Sequence, residues 1–265
     1  MPELWRALLL GLLQGLTEFL PVSSSGHLEL LNHFFGSSDS IDSDLMMVVL
    51  VHLGTCLSIV VVFWKDLIAL FRSLCALERS EELDLVGQIL LSMLPALVVG
   101  LTFEEQIEGL FEGGIWHVGI FFICTGGLLF LTSFTKDRSN KLTYGRALLI
   151  GIAQAVAILP GISRSGMTIA LALLLGVSRD RAARFSFLMV LPVIFGKAIL
   201  DLLQGGWGLD STLAAPILIA LITSFIVGIL ACRWMIALVK QSKIQYFGYY
   251  CIGIGLFTLI ISIVG

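Results

Sequence analysis

The chain alternates between long apolar stretches and shorter polar segments, and six of the apolar stretches are long enough to cross a membrane. An α-helix rises about 1.5 Å per residue, so about 20 apolar residues cover the roughly 30 Å hydrocarbon core of a bilayer. The pattern therefore predicts six transmembrane helices, over residues 45–63, 86–103, 115–134, 185–203, 213–239 and 246–264.

Two other apolar regions, 4–35 and 145–177, are each interrupted halfway by polar residues, glycine and proline. The first interruption reads PVSSSGH and the second reads PGISRSG. Each half of such a region is too short to cross the hydrocarbon core by itself. We therefore predict an all-α, polytopic integral membrane protein with six transmembrane helices and two re-entrant helix hairpins.

The composition of the chain agrees with a membrane environment. Hydrophobic residues make up 57% of the 265 residues and charged residues only 13%. An average soluble domain carries about 25% charged residues, so much of this surface is expected to face lipid. The formal net charge of −3 gives no indication of a nucleic-acid partner. Five cysteines occur singly, without the spacing of a metal site or a redox pair, and are interpreted as small hydrophobic residues.

The basic residues are concentrated in every second loop, which sets the orientation of the predicted helices. The segments EEQIEGLFEGG and QGGWGLDST contain no lysine or arginine, whereas the loops before and after them do. Because cytoplasmic loops carry the excess of Lys and Arg, both termini are predicted to be external. The basic residues that set this orientation are Lys65, Arg72, Arg79, Lys136, Arg138, Lys141, Arg146, Arg179, Arg181, Arg184, Arg233, Lys240 and Lys243.

A shift of 140 residues aligns residues 11–38 with residues 151–178 without a gap. Each copy is a hairpin followed by three spans, which divides a single membrane domain, 1–265, into repeats 1–134 and 141–265. Since three is odd, the second copy must be inverted relative to the first, and the hairpin tips are predicted to meet near the mid-plane. The identical pairs include Gly11 and Gly151, Gln14 and Gln154, Ser23 and Ser163, Ser25 and Ser165, Gly26 and Gly166, Gly36 and Gly176, and Ser38 and Ser178.

The two hairpin tips carry residue types that suit an anion. Irregular backbone at membrane depth requires protein partners or a water-filled cavity. Each tip precedes the start of a helix, whose unpaired N–H groups and partial positive charge attract anions. Arg164 in the second tip adds a guanidinium group, which binds phosphate oxygens in a bidentate manner. The tips therefore predict a phosphate or diphosphate site, although Ser23 to Ser25 would also suit plain helix caps.

The two tips also differ from each other. The first carries an acid, an extra hydroxyl and an imidazole, while the second carries a cation, and this division favours chemistry over symmetric transport. A further histidine, His52, lies inside the first span; its aligned partner is Pro192, so we expect only a buried hydrogen bond there. The differing pairs are Glu18 and Ile158, Ser24 and Arg164, and His27 and Met167.

The segments GLTEFLPVSSSGH and PGISRSGMTIA, 140 residues apart in a polytopic chain of this size, resemble the motifs of the undecaprenyl-diphosphate phosphatases, the bacitracin-resistance protein family. The similarity covers essentially the whole chain. It implies hydrolysis of undecaprenyl diphosphate to undecaprenyl phosphate, the lipid carrier of bacterial cell-wall synthesis, with release of inorganic phosphate. It also implies a multi-pass protein of the bacterial inner membrane that uses a divalent cation, Mg²⁺ or Ca²⁺.

The resemblance assigns Glu18, Ser24 and His27 to the catalytic centre and Arg164 to phosphate binding. Some relatives carry a second glutamate at the position of Gln14, so a metal site at Glu18 would here have one carboxylate and the Gln14 carbonyl. Glu18 would then bind the ion together with substrate oxygens, which suits Mg²⁺ because it usually takes only one or two protein carboxylates. The other residues predicted to bind the substrate phosphates are Ser23, Ser25, Gly26, Ser163, Ser165, Gly166 and Thr168.

Ser24 is the candidate nucleophile, with His27 as general base and then acid, and with Glu18 orienting the histidine or binding the metal. Attack by His27, or by water directly, is left open by the sequence. The expected partners are a polyprenyl diphosphate lipid, which enters from the external side, and the membrane lipids; a homodimer is also left open. The rival function is a transporter that flips the undecaprenyl phosphate carrier, alone or in addition to hydrolysis.

Overall fold

The computed structural model is built from helices joined by short connections, and the prediction of an all-α chain is confirmed. It describes residues 2–35, 41–77, 79–112, 114–135, 139–203 and 214–264. The helices in these ranges are α1 (Pro2–Thr17), α2 (Ser24–Phe35), α3 (Ile41–Val62), α4 (Trp64–Ala76), α5 (Glu81–Thr102), α6 (Glu104–Glu112), α7 (Trp116–Leu131, followed by a 3-10 turn, Thr132–Phe134), α8 (Tyr144–Val156), α9 (Arg164–Leu174), α10 (Arg179–Leu203), α11 (Ala214–Lys240) and α12 (Gln245–Val264).

Four helices of the described part are long and apolar enough to cross a membrane, namely α5, α7 with its 3-10 turn, α11 and α12. A fifth span results if α3 and α4 count as one, although they are bent by 78° at Phe63. Several such helices in one chain indicate a polytopic membrane protein. The four helices coincide with the predicted spans 86–103, 115–134, 213–239 and 246–264.

The two remaining predicted spans differ from simple straight helices. The span predicted over 45–63 coincides with α3, but the sequence did not predict that a second helix, α4, would continue from it at a sharp angle. The span predicted over 185–203 lies within α10, which begins with charged residues and contains Pro192. The predicted external segment 204–212 and the basic residues Lys136 and Arg138 lie outside the described residues.

Both predicted hairpin regions fold as pairs of short helices, broken over residues 18–23 and 157–163. The four helices have 16, 12, 13 and 11 residues. At about 1.5 Å per residue, none of them reaches across about 30 Å of hydrocarbon. Each break contains a residue with positive φ, Ser23 at 65° and Gly161 at 98°. Glycine adopts this conformation freely, whereas serine does so only under constraint from its surroundings.

The first helix of each hairpin packs against a long helix of the other half. Helix α1 lies along α11, and α8 lies along α5. Helix α3 also packs on α11, so the first hairpin and the helix that follows it share a neighbour. Because each half packs a hairpin helix on the other half, the two breaks come into contact. There, Ser165 Oγ donates a hydrogen bond to Leu20 O at 3.2 Å. Two interruptions that are far apart in the sequence therefore meet.

Helices α7 and α12 run antiparallel and approach closely through two pairs of glycines. A Cβ atom on Gly126 would lie 2.7 Å from the carbonyl oxygen of Gly248, and one on Gly255 would lie 2.7 Å from that of Gly119. Small residues at such positions allow the backbones of apolar helices to touch, which is a common way to pack helices in a membrane. These positions therefore require glycine, because any side chain would collide with the backbone of the facing helix.

We expect Gly126→Ala to lower the free energy of unfolding by about 1–3 kcal/mol, because the added methyl group overlaps the backbone of α12. The matched control is Gly127→Ala, since no atom lies within 4 Å of a Cβ at that position. That variant should be at least as stable as the parent, because alanine is the better helix former by about 1 kcal/mol. Unfolding followed by tryptophan fluorescence in mixed detergent micelles measures both. Equal stability of the two variants would contradict the close packing of α7 on α12.

Candidate active site

A cavity of about 190 Å³ lies where the two helix breaks meet. A single buried water needs about 10–15 Å³ of such space, so the cavity has room for a group of several non-hydrogen atoms, such as a phosphate. Both hairpins and one residue of α3 contribute to its wall. The lining residues are Thr17, Glu18, Ser23, Ser24, Ser25, His52, Ala157, Ile158, Ile162, Ser163, Arg164 and Ser165.

Glu18 and Arg164, which are 146 residues apart, form an ion pair across the contact between the two breaks. Their side chains are only 7% and 15% exposed. Arg164 Nη2 donates to Glu18 Oε1, while Nη1 donates to the carbonyl oxygen of Ser186 at 3.4 Å. A charge held away from water is costly unless it is paired. The negative charge of the first hairpin is therefore neutralised by the positive charge of the second.

The second carboxylate oxygen, Glu18 Oε2, has three polar neighbours. Gln14 Nε2 donates to it at 2.8 Å, and Ser24 Oγ donates to it at 3.2 Å. His52 Nε2 lies 3.9 Å away. Because the hydroxyl proton of Ser24 is directed at a carboxylate, the lone pairs of its oxygen remain available to an electrophile in the cavity.

Ser23 and Ser163, which the sequence repeat aligns, cap the starts of α2 and α9 in the same way. Ser23 Oγ accepts a hydrogen bond from Gly26 N at 3.2 Å, and Ser163 Oγ accepts one from Gly166 N at 3.0 Å. In each break the capping hydroxyl also lies 3.3 Å from the serine hydroxyl two residues later. These bonds satisfy N–H groups that a helix start leaves unpaired. The repeat in the sequence is therefore also a repeat in hydrogen bonding.

The two breaks differ at the residue that follows each cap. Ser24 and Arg164 are the first residues of α2 and α9, and both line the cavity. Helix capping accounts for Ser23, whereas Ser24 is the serine that reaches Glu18. The φ angle of 65° at Ser23 costs a residue other than glycine about 1–3 kcal/mol, and such strain is concentrated at functional sites.

Three residues predicted to bind phosphate lie beside the cavity and are not part of its wall. The amide groups of Gly26 and Gly166 are bonded to the caps. Thr168 is fully buried, where its Oγ1 lies 2.6 Å from Ser186 Oγ and donates to Arg164 O at 2.8 Å. Thr168 therefore ties the start of α9 to α10. Direct phosphate contacts by these residues stay a prediction.

His27 lies one turn after Ser24 on α2, but it is not among the residues that line the cavity. Its Nδ1 lies 2.7 Å from Ser23 O, and its Nε2 lies 2.7 Å from Tyr250 Oη. Since a carbonyl oxygen can only accept, Nδ1 carries a proton, and the other nitrogen is engaged by the tyrosine hydroxyl. The imidazole ring stacks on Tyr250 and meets the ring of Phe122 edge-on. The ring is thus held between α2, α7 and α12.

His52 is the histidine that reaches the cavity. Its Nδ1 hydrogen-bonds to Val48 O at 2.8 Å, as expected for a polar residue inside a helix, but its Nε2 faces Glu18. From the sequence, only a buried hydrogen bond was expected for His52, with no part in the site. The signal that could have found it is the spacing of His52, Thr55 and Ser58, three polar residues on one face of an apolar helix.

The chain is similar to known proteins over nearly its whole length. A family model described as Bacitracin resistance protein BacA matches residues 7–257. This chain belongs to the BacA family. A protein from Christiangramia forsetii named Undecaprenyl-diphosphatase is 46% identical to it over 98% of both chains. Proteins of the same name from Bacteroides fragilis and Halothermothrix orenii are 41% and 36% identical, again over 98% of each chain.

The residues of this BacA-family chain that were expected to hold a divalent ion are engaged otherwise. The Gln14 amide nitrogen donates to Glu18, so the amide oxygen points away and is buried without a partner. Turning the amide around would set its oxygen against the carboxylate. No three His, Cys, Asp or Glu side chains come together as a metal site in the described part of the chain. The Glu18 carboxylate and the unpartnered Gln14 oxygen are oxygen ligands of the kind that Mg²⁺ and Ca²⁺ take, and a metal held jointly by them stays a prediction.

We expect Glu18→Gln to lower the free energy of unfolding by about 3–5 kcal/mol, because Arg164 then stays buried without its counter-charge. The double variant with Arg164→Met should recover part of this loss, since it buries no charge. Unfolding in mixed micelles of the single and double variants measures the coupling between the two residues.

The matched control is Lys141→Gln, which breaks an ion pair with Glu81 that is exposed on both sides. Its stability should stay close to that of the parent, because exposed ion pairs contribute little. If the losses caused by Glu18→Gln and Arg164→Met simply added up, the two charges would not depend on each other.

Proposed function

We propose that this chain is an undecaprenyl-diphosphatase, which hydrolyses undecaprenyl diphosphate to undecaprenyl phosphate and inorganic phosphate. The names of its relatives support this substrate. The single observation that carries the proposal is that Glu18, Ser24 and Arg164 converge on one cavity between two helix breaks. A carboxylate, a nucleophile and a cation are the groups that cleavage of a phosphoanhydride can use.

In this proposal Arg164 and the starts of α2 and α9 bind the diphosphate. Both helices begin at the cavity, where their first N–H groups and partial positive charge favour an anion. The guanidinium group has five N–H donors in a fixed fork, so Arg164 can keep Glu18 and still donate to phosphate oxygens. Ser25 and Ser165 also line the cavity.

Ser24 Oγ attacks the terminal phosphorus, and the new O–P bond forms as the bond from phosphorus to the bridging oxygen breaks. Undecaprenyl phosphate leaves with the electron pair of that bond. The Ser24 proton passes to Glu18 Oε2, with which the hydroxyl already shares a hydrogen bond of 3.2 Å. Water then hydrolyses the phosphoserine and releases phosphate. General-base catalysis by His27, or attack by His27 or by water itself, stays a prediction from the sequence.

The same proposal includes an arrangement in the bilayer. Six helices cross, and the two hairpins enter from opposite sides as halves of an inverted repeat, 1–134 and 141–265, within one membrane domain. The short helices of the hairpins and the contact between their breaks support this arrangement. The basic loops then lie in the cytoplasm of a bacterium, and both termini and the entrance for the diphosphate lie outside the inner membrane.

The polyprenyl tail of the substrate stays among the lipid-facing helices. A divalent ion, Mg²⁺ or Ca²⁺, is expected from the family resemblance alone. Bound to the diphosphate, it would neutralise phosphate oxygens. The steps above use only Glu18, Ser24 and Arg164, and none of them goes through the ion.

The proposal is tested with purified protein in detergent and a polyprenyl diphosphate as substrate. Release of inorganic phosphate and formation of the polyprenyl monophosphate in equal amounts are expected. A chain that only moves the monophosphate across the membrane would release no phosphate, and that result would overturn the proposed function.

Ser24→Ala should reduce phosphate release by at least about 10³-fold, because the attacking oxygen is removed. The matched control is Ser133→Ala, whose hydroxyl bonds only to Phe130 O on an exposed turn; it should keep the parental rate. Near-normal release from Ser24→Ala would shift the attack to water or to His27.

Arg164→Lys should reduce kcat by about 10²-fold although the charge is kept, because an ammonium group cannot hold Glu18 and phosphate oxygens in one planar fork. Steady-state kinetics with a short-chain prenyl diphosphate separate kcat from KM. Parental kcat with a raised KM would mean that Arg164 binds the ground state only.

A further inference from the structure

Among the described residues that line the cavity, only His52 comes from outside the two helix hairpins. It is supplied by α3, the helix that follows the first hairpin. Its side chain is 31% exposed, in contrast to 7% for Glu18, so the ring is open to a molecule in the cavity. Nothing in the proposed function so far uses it.

The hydrogen bond of His52 to its own helix fixes which ring nitrogen faces the cavity. Nδ1 bonds to the carbonyl oxygen of Val48 at 2.8 Å, and a carbonyl oxygen only accepts, so Nδ1 carries the proton. Nε2 is then the nitrogen that can take up a second proton. It lies 3.9 Å from Glu18 Oε2, which is too far for a direct hydrogen bond and leaves space for a water or a phosphate oxygen near both atoms.

Ser24 and His52 approach Glu18 Oε2 from different helices. Ser24 Oγ lies 3.2 Å from that oxygen and begins α2, whereas His52 belongs to α3. In phosphoryl transfer the attacking and leaving oxygens lie roughly in line on opposite sides of phosphorus. A base for the water that attacks phosphoserine should therefore lie across phosphorus from Ser24 Oγ, and a residue on another helix can reach that side.

His27 meets these conditions less well. Both of its ring nitrogens are engaged, by Ser23 O and by Tyr250 Oη, and its ring does not line the cavity. It also belongs to the helix that Ser24 begins. His52 has one engaged nitrogen and one nitrogen that faces the cavity.

We propose that His52 is the general base for the water that hydrolyses the phosphoserine, an inference that rests on the proposed function. Nε2 takes one proton from water while the water oxygen bonds to phosphorus. The bond from phosphorus to Ser24 Oγ breaks, and Oγ takes back the proton held by Glu18. The products are hydrogen phosphate, free Ser24 and an imidazolium that releases its proton to solvent. Glu18, ionised again, stabilises the imidazolium beside it.

The test compares the two halves of the reaction in His52→Gln. Rapid-quench experiments with a polyprenyl diphosphate follow the monophosphate product and inorganic phosphate separately. We expect about one equivalent of monophosphate at the parental rate, followed by phosphate release slowed by about 10²-fold or more. The peptide that contains Ser24 should then carry one phosphoryl group, as shown by mass spectrometry. In His52→Ala, added imidazole should restore part of the phosphate release.

The matched control is His117→Gln, since His117 lies at the start of α7, away from the cavity, and should keep the parental rates. His27→Gln is measured beside it, and phosphoserine that accumulates in His27→Gln but not in His52→Gln would overturn the proposal. Parental phosphate release from His52→Gln would also overturn it. Slowed phosphate release without phosphorylated Ser24 would overturn it as well. The same holds if imidazole fails to restore phosphate release in a His52→Ala protein that is as stable as the parent.

A failure of the proposed function can be distinguished from a failure of the role proposed for His52. If the unmodified protein released no phosphate from the polyprenyl diphosphate, the chain would not be a diphosphatase, whatever the behaviour of the His52 variants. If the unmodified protein releases phosphate, the variants decide the role of His52 alone.

Discussion

The buried ion pair between Glu18 and Arg164 is the interaction on which the rest of the site depends. An apolar surrounding stabilises neither charge alone, so each helix break requires the other one. The pair also sets where the neighbouring groups lie, because Ser24, Gln14 and His52 all approach the carboxylate that Arg164 holds in place. A site of this kind cannot form in one half of the chain. The two charges come together because α1 packs on α11 of the other half and α8 packs on α5 of the other half.

The internal repeat explains how one scaffold can carry two different sets of chemical groups. Ser23 and Ser163 cap their helices with the same hydrogen bonds, so α2 and α9 begin in the same way. The side chain after the cap is then free to differ, and Ser24 and Arg164 both enter the cavity from it. A duplicated frame with unequal first residues thus brings a hydroxyl and a guanidinium group to one cavity, where both bond to Glu18.

The sequence predicts helices and their interruptions well, because apolar length and the positions of proline, glycine and serine report backbone structure directly. It also places Glu18, Ser24 and Arg164 together through the repeat. It does not predict which way a side chain turns. His27 is next to the serines in sequence, yet its ring turns to Tyr250, while His52 is distant in sequence and faces Glu18. The helix beyond Phe63 was equally hidden, since Lys65 and Asp66 in its first turn gave that segment the appearance of a charged loop.

Gln14 shows how one neutral side chain balances the charges of the site. Its amide nitrogen must face Glu18, because the carboxylate can only accept, and its oxygen is left buried without a partner. A glutamate in this place, as the family resemblance implies for some relatives, would put a second negative charge beside Glu18. Arg164 could not neutralise two buried carboxylates, and a cation would be needed to hold them together. With glutamine, one carboxylate faces one guanidinium group, and the two charges neutralise each other.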